Sequence, residues 1–369
     1  MTRRRREGPL AGVVARSPAT THVVALAVVL LVLWLAASVV LPARPAHGAT
    51  SAATSPAAVD GASIATAARG RCAGRGATRT SVAAGTTTRS ITVGDAVRSY
   101  RLEVPRGYRP SRATPLLFDF HGLGSNKEEQ ARYSRLEAKG GAAGYVVVTP
   151  DGSGDFAKRW VPPPFPGPDV EFVRALLHTT EQELCIDARR VFAAGMSSGA
   201  VFSTALACEL PGTFAAIAPV AGVNAHAVCD ATTPPVSVLA FHGTADSVVS
   251  YEGGPYFSGI DASVLPEALR QRIVELAGLE ARAVPGSVAQ WAAFDGCAES
   301  PRTTQVASDV TRTAYARCRR GTAVVLFTVV QGGHTWPDAP AVARLGTTTR
   351  SIDASDLMLR FFDEHPRRG

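Results

Sequence analysis

Apolar runs of four to eight residues recur along this chain, separated by stretches of helical period. The runs are Pro115–Phe120, Tyr145–Val148, Val191–Ala194, Phe214–Val220, Val236–Phe241 and Ala323–Val330. Each is short and bounded by turn residues, so each predicts a buried strand. Ser90–Val93 and Ser99–Val104 flank Gly94-Asp95 and predict a hairpin or two adjacent strands. Between the runs, Asp169–Leu184 places Val170, Val173, Leu176, Leu177 and Leu184 at helical spacing. Lys127–Lys139, the segment after Gly199, Pro266–Ala277, Ser287–Phe294 and Ser355–Glu364 also suit helices. Alternating strands and helices predict an α/β fold, a mostly parallel sheet with helices on both faces.

The first seventy residues follow a different pattern. Arg3–Arg6 precede an uncharged apolar run, Val23–Leu41, and then Pro42, Pro45 and the small-residue patch around Ala46 and Ala49. Residues 1–48 therefore read as a signal peptide or an N-terminal membrane anchor. The small residues favour cleavage, whereas the length of the run suits a bilayer span. Residues 49–71 are rich in Ala, Thr and Ser and read as a flexible spacer. The catalytic domain is expected over 72–369, with 255–285 as an insertion that caps the site or packs as a surface helix.

Charge then narrows the partners. The chain carries +7, but residues 1–48 hold six Arg against one Glu and supply +5 of it. No basic stripe interleaved with aromatics occurs elsewhere, so nucleic acid is not an expected partner. A membrane contact is expected only through the N-terminal segment, if that is retained. Six cysteines (Cys72, Cys185, Cys208, Cys229, Cys297 and Cys318) lie beyond the leader, without the spacing of a zinc or redox site. Their even number fits an exported protein, extracellular or anchored at the outer face of the membrane by residues 23–41. Of the 15 possible pairings, chain proximity suggests Cys208–Cys229 and Cys297–Cys318, leaving Cys72 with Cys185.

Candidate chemistry gathers after the strands. Gly195-Met-Ser-Ser-Gly199 follows one strand and precedes a helix, the context of a nucleophile elbow, so Ser197 is the expected nucleophile. His121-Gly-Leu-Gly124 follows another strand and predicts an oxyanion hole from the backbone N–H groups of Leu123 and Ser198. Asp246, in the loop after Val236–Phe241, is the expected acid; His334, on the glycine loop after Ala323–Val330, is the expected base. His121 and His242 are expected to be structural. Trp160, Phe165 and Trp336 are candidates to wall a substrate pocket. No metal or cofactor is called for.

The order Ser, Asp, His is that of the α/β-hydrolases. The four motifs, His121-Gly-Leu-Gly, Gly195-Met-Ser-Ser-Gly, Phe241-His-Gly-Thr-Ala-Asp246 and Gly332-Gly-His-Thr-Trp-Pro337, resemble the polyhydroxybutyrate depolymerase and feruloyl-esterase-like family. The resemblance implies a secreted α/β-hydrolase that cleaves small or oligomeric carboxylic esters through an acyl-enzyme on Ser197. Acyl transfer or peptide cleavage on the same triad, and a catalytically silent cell-envelope binding protein, are the alternatives.

Overall fold

Gly94 and Asp95 turn the chain between Gly85–Val93 (β1) and Ala96–Val104 (β2), which pair antiparallel along their whole length. Thr114–Phe120 (β3) follows, buried at every position. Its side chains divide between two cores, Leu116, Phe118 and Phe120 in one and Leu117 in the other. A strand apolar on both faces is satisfied only inside a sheet that helices cover on each side. Val146–Pro150 (β4), Ala216–Val220 (β6) and Ser237–Gly243 (β7) are likewise wholly buried, and Ile186–Met196 (β5) is buried from Val191 onwards. Gly254–Pro255 (β8) and Glu280–Ala281 (β9) form a separate antiparallel pair. Arg302–Ala307 (β10), Val310–Tyr315 (β11) and Val324–Val329 (β12) complete the strands.

This computed structural model describes residues 82–368 apart from 155–157, 163–166, 226–227, 260–279 and 299. The expected leader and spacer, Cys72, Phe165 and the helix read at 266–277 lie outside the described residues. Among those described, ten strands form one sheet in the order β1-β2-β4-β3-β5-β6-β7-β12-β11-β10. The six central strands from β4 to β12 are mutually parallel, and an antiparallel hairpin extends the sheet at each end. Strand order reverses between β3 and β5, so the loops leaving their carboxyl ends diverge over a crevice.

Helices Lys127–Ser134 (α1), Leu136–Ala142 (α2), Asp169–Glu183 (α3), Ser198–Glu209 (α4), Val284–Phe294 (α5) and Ala354–Glu364 (α6) cover the sheet. Phe172 and Leu176 of α3, Phe202 and Leu206 of α4 and Trp291 of α5 fill one core. Leu136 of α2 and Met358, Phe361 and Phe362 of α6 fill the other. The single helix expected over 127–139 is two helices, because Arg135 takes the left-handed conformation at φ 60°. There its guanidinium reaches Asp338 and Asp353.

Cys208–Cys229 and Cys297–Cys318 are bonded as chain proximity suggested. Closing a loop of about 20 residues is worth roughly 3 kcal/mol in the chain-entropy account. Cys185 is also disulfide-bonded.

Asp119 of β3 is fully buried, held by Gln130 Nε2 at 2.7 Å and Ser134 Oγ at 2.6 Å. Burial pushes its carboxyl up to about 7 against those two hydrogen bonds, and burial does the same to Asp295. Both folded-state values lie above the unfolded one. Between about pH 4 and 7 the unfolded chain loses protons that the folded chain keeps, and each group lowers stability by roughly 1.4 kcal/mol per pH unit. Asp119→Asn removes one of the two contributions. Urea unfolding at pH 5 and pH 8 is expected to show a smaller loss of stability for the variant than for the parent.

Candidate active site

The turn after β5 is the most constrained piece of backbone in the site. Ser197 adopts φ 56° and ψ −120°, a region that a residue with a side chain rarely enters and that costs of order 1–3 kcal/mol. Its N–H donates to the Val220 carbonyl at 2.9 Å, and its carbonyl accepts from Val201 at 3.0 Å, so strand β6 and helix α4 hold the turn from either side. The flanking glycines are a matter of space. A Cβ on Gly199 would lie 2.2 Å from the Phe120 carbonyl oxygen, and one on Gly195 would lie 2.5 Å from the Gly199 backbone. The result is a half-buried serine at the start of α4, on the carboxyl edge of the sheet.

The loop after β3 approaches from the next strand. A methyl group on Gly122 would lie 3.5 Å from Ser197 Cβ. His121 is buried and fixes this loop: its Nε2 accepts from Gly152 N–H at 2.9 Å, so Nδ1–H donates to the Gly122 carbonyl at 2.7 Å. Gly124 N–H donates to the Lys158 carbonyl at 2.8 Å. The Leu123 N–H finds no backbone acceptor among the described residues. The Ser198 N–H is one of the four that a helix start leaves without an intrahelical partner. Two unclaimed donors thus belong to the segments on either side of Ser197.

Asp246 and His334 come together although 88 positions separate them. His334 Nδ1 lies 2.8 Å from Asp246 Oδ2, and both side chains are buried. The other carboxylate oxygen accepts from the N–H groups of Val248 at 2.9 Å and Val249 at 2.8 Å. Burial alone would raise this carboxyl. The imidazoles of His334 and His242 outweigh burial and hold it well below the usual carboxylate range. Backbone hydrogen bonds Thr244 to Val329 and Ala245 to Gly332, each 2.9 Å, join the acid loop to the base loop. Ser197 leaves the same edge of the sheet, two strands from β7, but no direct Ser197–His334 hydrogen bond occurs among the described residues.

Two of the aromatic pocket candidates are placed differently. Trp160 is buried beneath the β3 loop, stacked on Phe202 at 4.9 Å, with its indole N–H donating to the His121 carbonyl at 3.0 Å. Trp336 is buried too, and its indole N–H donates to Ser355 Oγ at 3.0 Å. Ser355 Oγ in turn donates to the Ser134 carbonyl, so Trp336 fastens the His334 loop to α6 and the α1–α2 junction. Both rings are therefore buried anchors for loops at this edge of the sheet rather than exposed walls. The segment read as an insertion opens through the β8–β9 pair. Its base is stitched to the acid loop by Phe257 N–H to Val248 O at 2.7 Å and Val284 N–H to Tyr251 O at 2.8 Å. Among the described residues no cluster of His, Cys, Asp and Glu could hold a metal ion.

The fold and these loops have relatives. The sequence profile of the family described as esterase PHB depolymerase matches residues 98–249. Feruloyl esterase B of Piromyces equi is 28% identical over 64% of this chain and 42% of its own length. Feruloyl esterase C of Emericella nidulans is 32% identical over 42% of this chain and 58% of its own length. NocK of Nocardia uniformis, a proposed esterase, is 29% identical over 73% of this chain and 80% of its own length. The chain thus spans about half the length of the two feruloyl esterases and most of NocK. The solved structure of acetyl xylan esterase from Aspergillus awamori superposes with a TM-score of 0.50 at 15% identity, covering 75% of this chain and 99% of that one. This likeness shows the α/β-hydrolase fold.

Gly199→Ala is expected to cost more than about 3 kcal/mol, because the Cβ meets backbone that cannot yield. Guanidinium unfolding of the variant beside the parent measures it.

Proposed function

We propose, on the premise that residues 98–249 belong to the PHB depolymerase esterase family, that this protein is a carboxylic-ester hydrolase working through Ser197, His334 and Asp246. One observation carries the proposal. A buried His334–Asp246 pair, joined at 2.8 Å, stands on the same sheet edge as a serine held at positive φ on a strand-to-helix turn. Strained backbone over-determined by its surroundings is a mark of functional sites.

In this mechanism Ser197 Oγ attacks the ester carbonyl while His334 Nε2 takes its proton. Asp246 keeps the proton on Nδ1 and stabilises the imidazolium. The oxyanion of the tetrahedral intermediate accepts from the N–H groups of Leu123 and Ser198, where the positive end of α4 adds to the field. Collapse expels the alcohol, which leaves with the proton from His334, and Ser197 remains acylated. Water, deprotonated by His334, then attacks the acyl carbonyl, and a second collapse releases the acid and restores Ser197. The Ser197–His334 hydrogen bond closes when substrate occupies the site.

The names of the relatives point to feruloyl and acetyl esters as the substrate class, and the disulfides to an exported protein.

Hydrolysis of p-nitrophenyl acetate and methyl ferulate tests the assignment. The parent is expected to turn over, and Ser197→Ala to lose roughly 10³-fold or more in kcat. Added alcohol acceptors distinguish hydrolysis from acyl transfer by product. A parent without turnover, or a Ser197→Ala variant as active as the parent, overturns the proposal.

A further inference from the structure

Four groups meet the Asp246 carboxylate, three of them the N–H groups of Val248 and Val249 and the His334 imidazole. The fourth is His242, next to last in β7 and buried. Its Nε2 lies 2.8 Å from the Val249 carbonyl and 3.3 Å from Asp246 Oδ2, the same oxygen that His334 engages. Two acceptors at one ring nitrogen require a hydrogen there. The opposite nitrogen, Nδ1, is enclosed with no partner among the described residues. A second proton on it would bury both an unsatisfied donor and a charge, so the ring is the neutral Nε2–H form.

We infer that His242 is a positioning residue for the acid: its single Nε2–H, shared between Val249 O and Asp246 Oδ2, sets the direction and the strength of the Asp246–His334 hydrogen bond. The inference rests on the triad proposed above. Two consequences follow from its geometry. First, the ring ties β7 to the acid loop at two points, and Asp246 Oδ1 is tied at two more by Val248 and Val249 N–H, so the carboxylate has little freedom to rotate away from His334. Second, a donor on Oδ2 withdraws part of the negative charge that His334 would otherwise meet.

Among the described residues few other titratable groups face this pair. Tyr251, from the next loop, stands edge-on to His242 at 6.0 Å, with its hydroxyl on Thr328 Oγ1 at 3.0 Å. Exposed Glu252 acts on that tyrosine. From the base loop the facing group is His334 itself.

The test compares His242→Phe, which keeps the ring volume and removes the donor, with His242→Gln, whose amide N–H reaches the Nε2 position. Each is measured for kcat, KM and the pH profile of kcat/KM on p-nitrophenyl acetate, with thermal unfolding alongside and Ser197→Ala as control. For His242→Phe, kcat is expected to fall roughly tenfold to a hundredfold with KM little changed, the rate equivalent of one hydrogen bond to a charged group. The acidic limb of its profile is expected to differ from the parent's. His242→Gln is expected to recover most of the rate and return the limb towards the parent's. A folded Phe variant with the parent's kcat and limb overturns the inference, as does a Gln variant that loses as much as Phe. Those results leave the esterase proposal standing; an active Ser197→Ala control overturns both.

Discussion

The close approach of β3 to the turn after β5 is the constraint on which the site depends. With Gly199 backed against the carbonyls of Phe120 and His121, no side chain fits there. That contact sets how tightly helix α4 can leave the strand. The tight exit forces Ser197 to φ 56°, and the same contact lays the Leu123 loop over it. The proposed nucleophile and oxyanion donors are therefore products of a single packing event between neighbouring parallel strands. The strain is offset by hydrogen bonds from Ser197 to β6 and α4 and by the aromatic packing of Phe120, Trp160 and Phe202 beneath.

The other half of the site is held by electrostatics. Asp246 is buried, a position that disfavours a charged carboxylate, yet donors meet both of its oxygens. These three donors, with His242 Nε2 at 3.3 Å as a fourth, keep the carboxylate ionised and fix its orientation, which is what a histidine needs from its acid. The base loop is anchored elsewhere, through Trp336, Ser355 and Ser134, to the layer of helices on the far face of the sheet. Rigid supports on two layers thus converge on one edge.

The parallel core was legible because its strands are almost wholly apolar, and the candidate site residues because each follows such a strand within a few positions. Other features lay beyond that signal. The β10–β11 hairpin went unread: its strands, Arg302–Ala307 and Val310–Tyr315, are polar and half exposed and carry no apolar run. Its Thr and Val content and the Ser308-Asp309 turn were the available cue. The break at Arg135 depends on a tertiary partnership with Asp338 and Asp353 that no local pattern encodes. Trp160 and Trp336 looked like pocket walls because large aromatics near catalytic loops often are. Their indole N–H groups found buried acceptors instead, and that pairing is visible only in three dimensions. His242 likewise discloses its contact with Asp246 only once the loop folds back on β7.

The most direct measurement of the central claim is mass spectrometry of the protein mixed with p-nitrophenyl acetate and quenched in acid within the first turnovers. The account predicts an acetyl adduct on the peptide that carries Ser197, absent from Ser197→Ala. Turnover with no adduct, or an adduct on another residue that persists in Ser197→Ala, would contradict it.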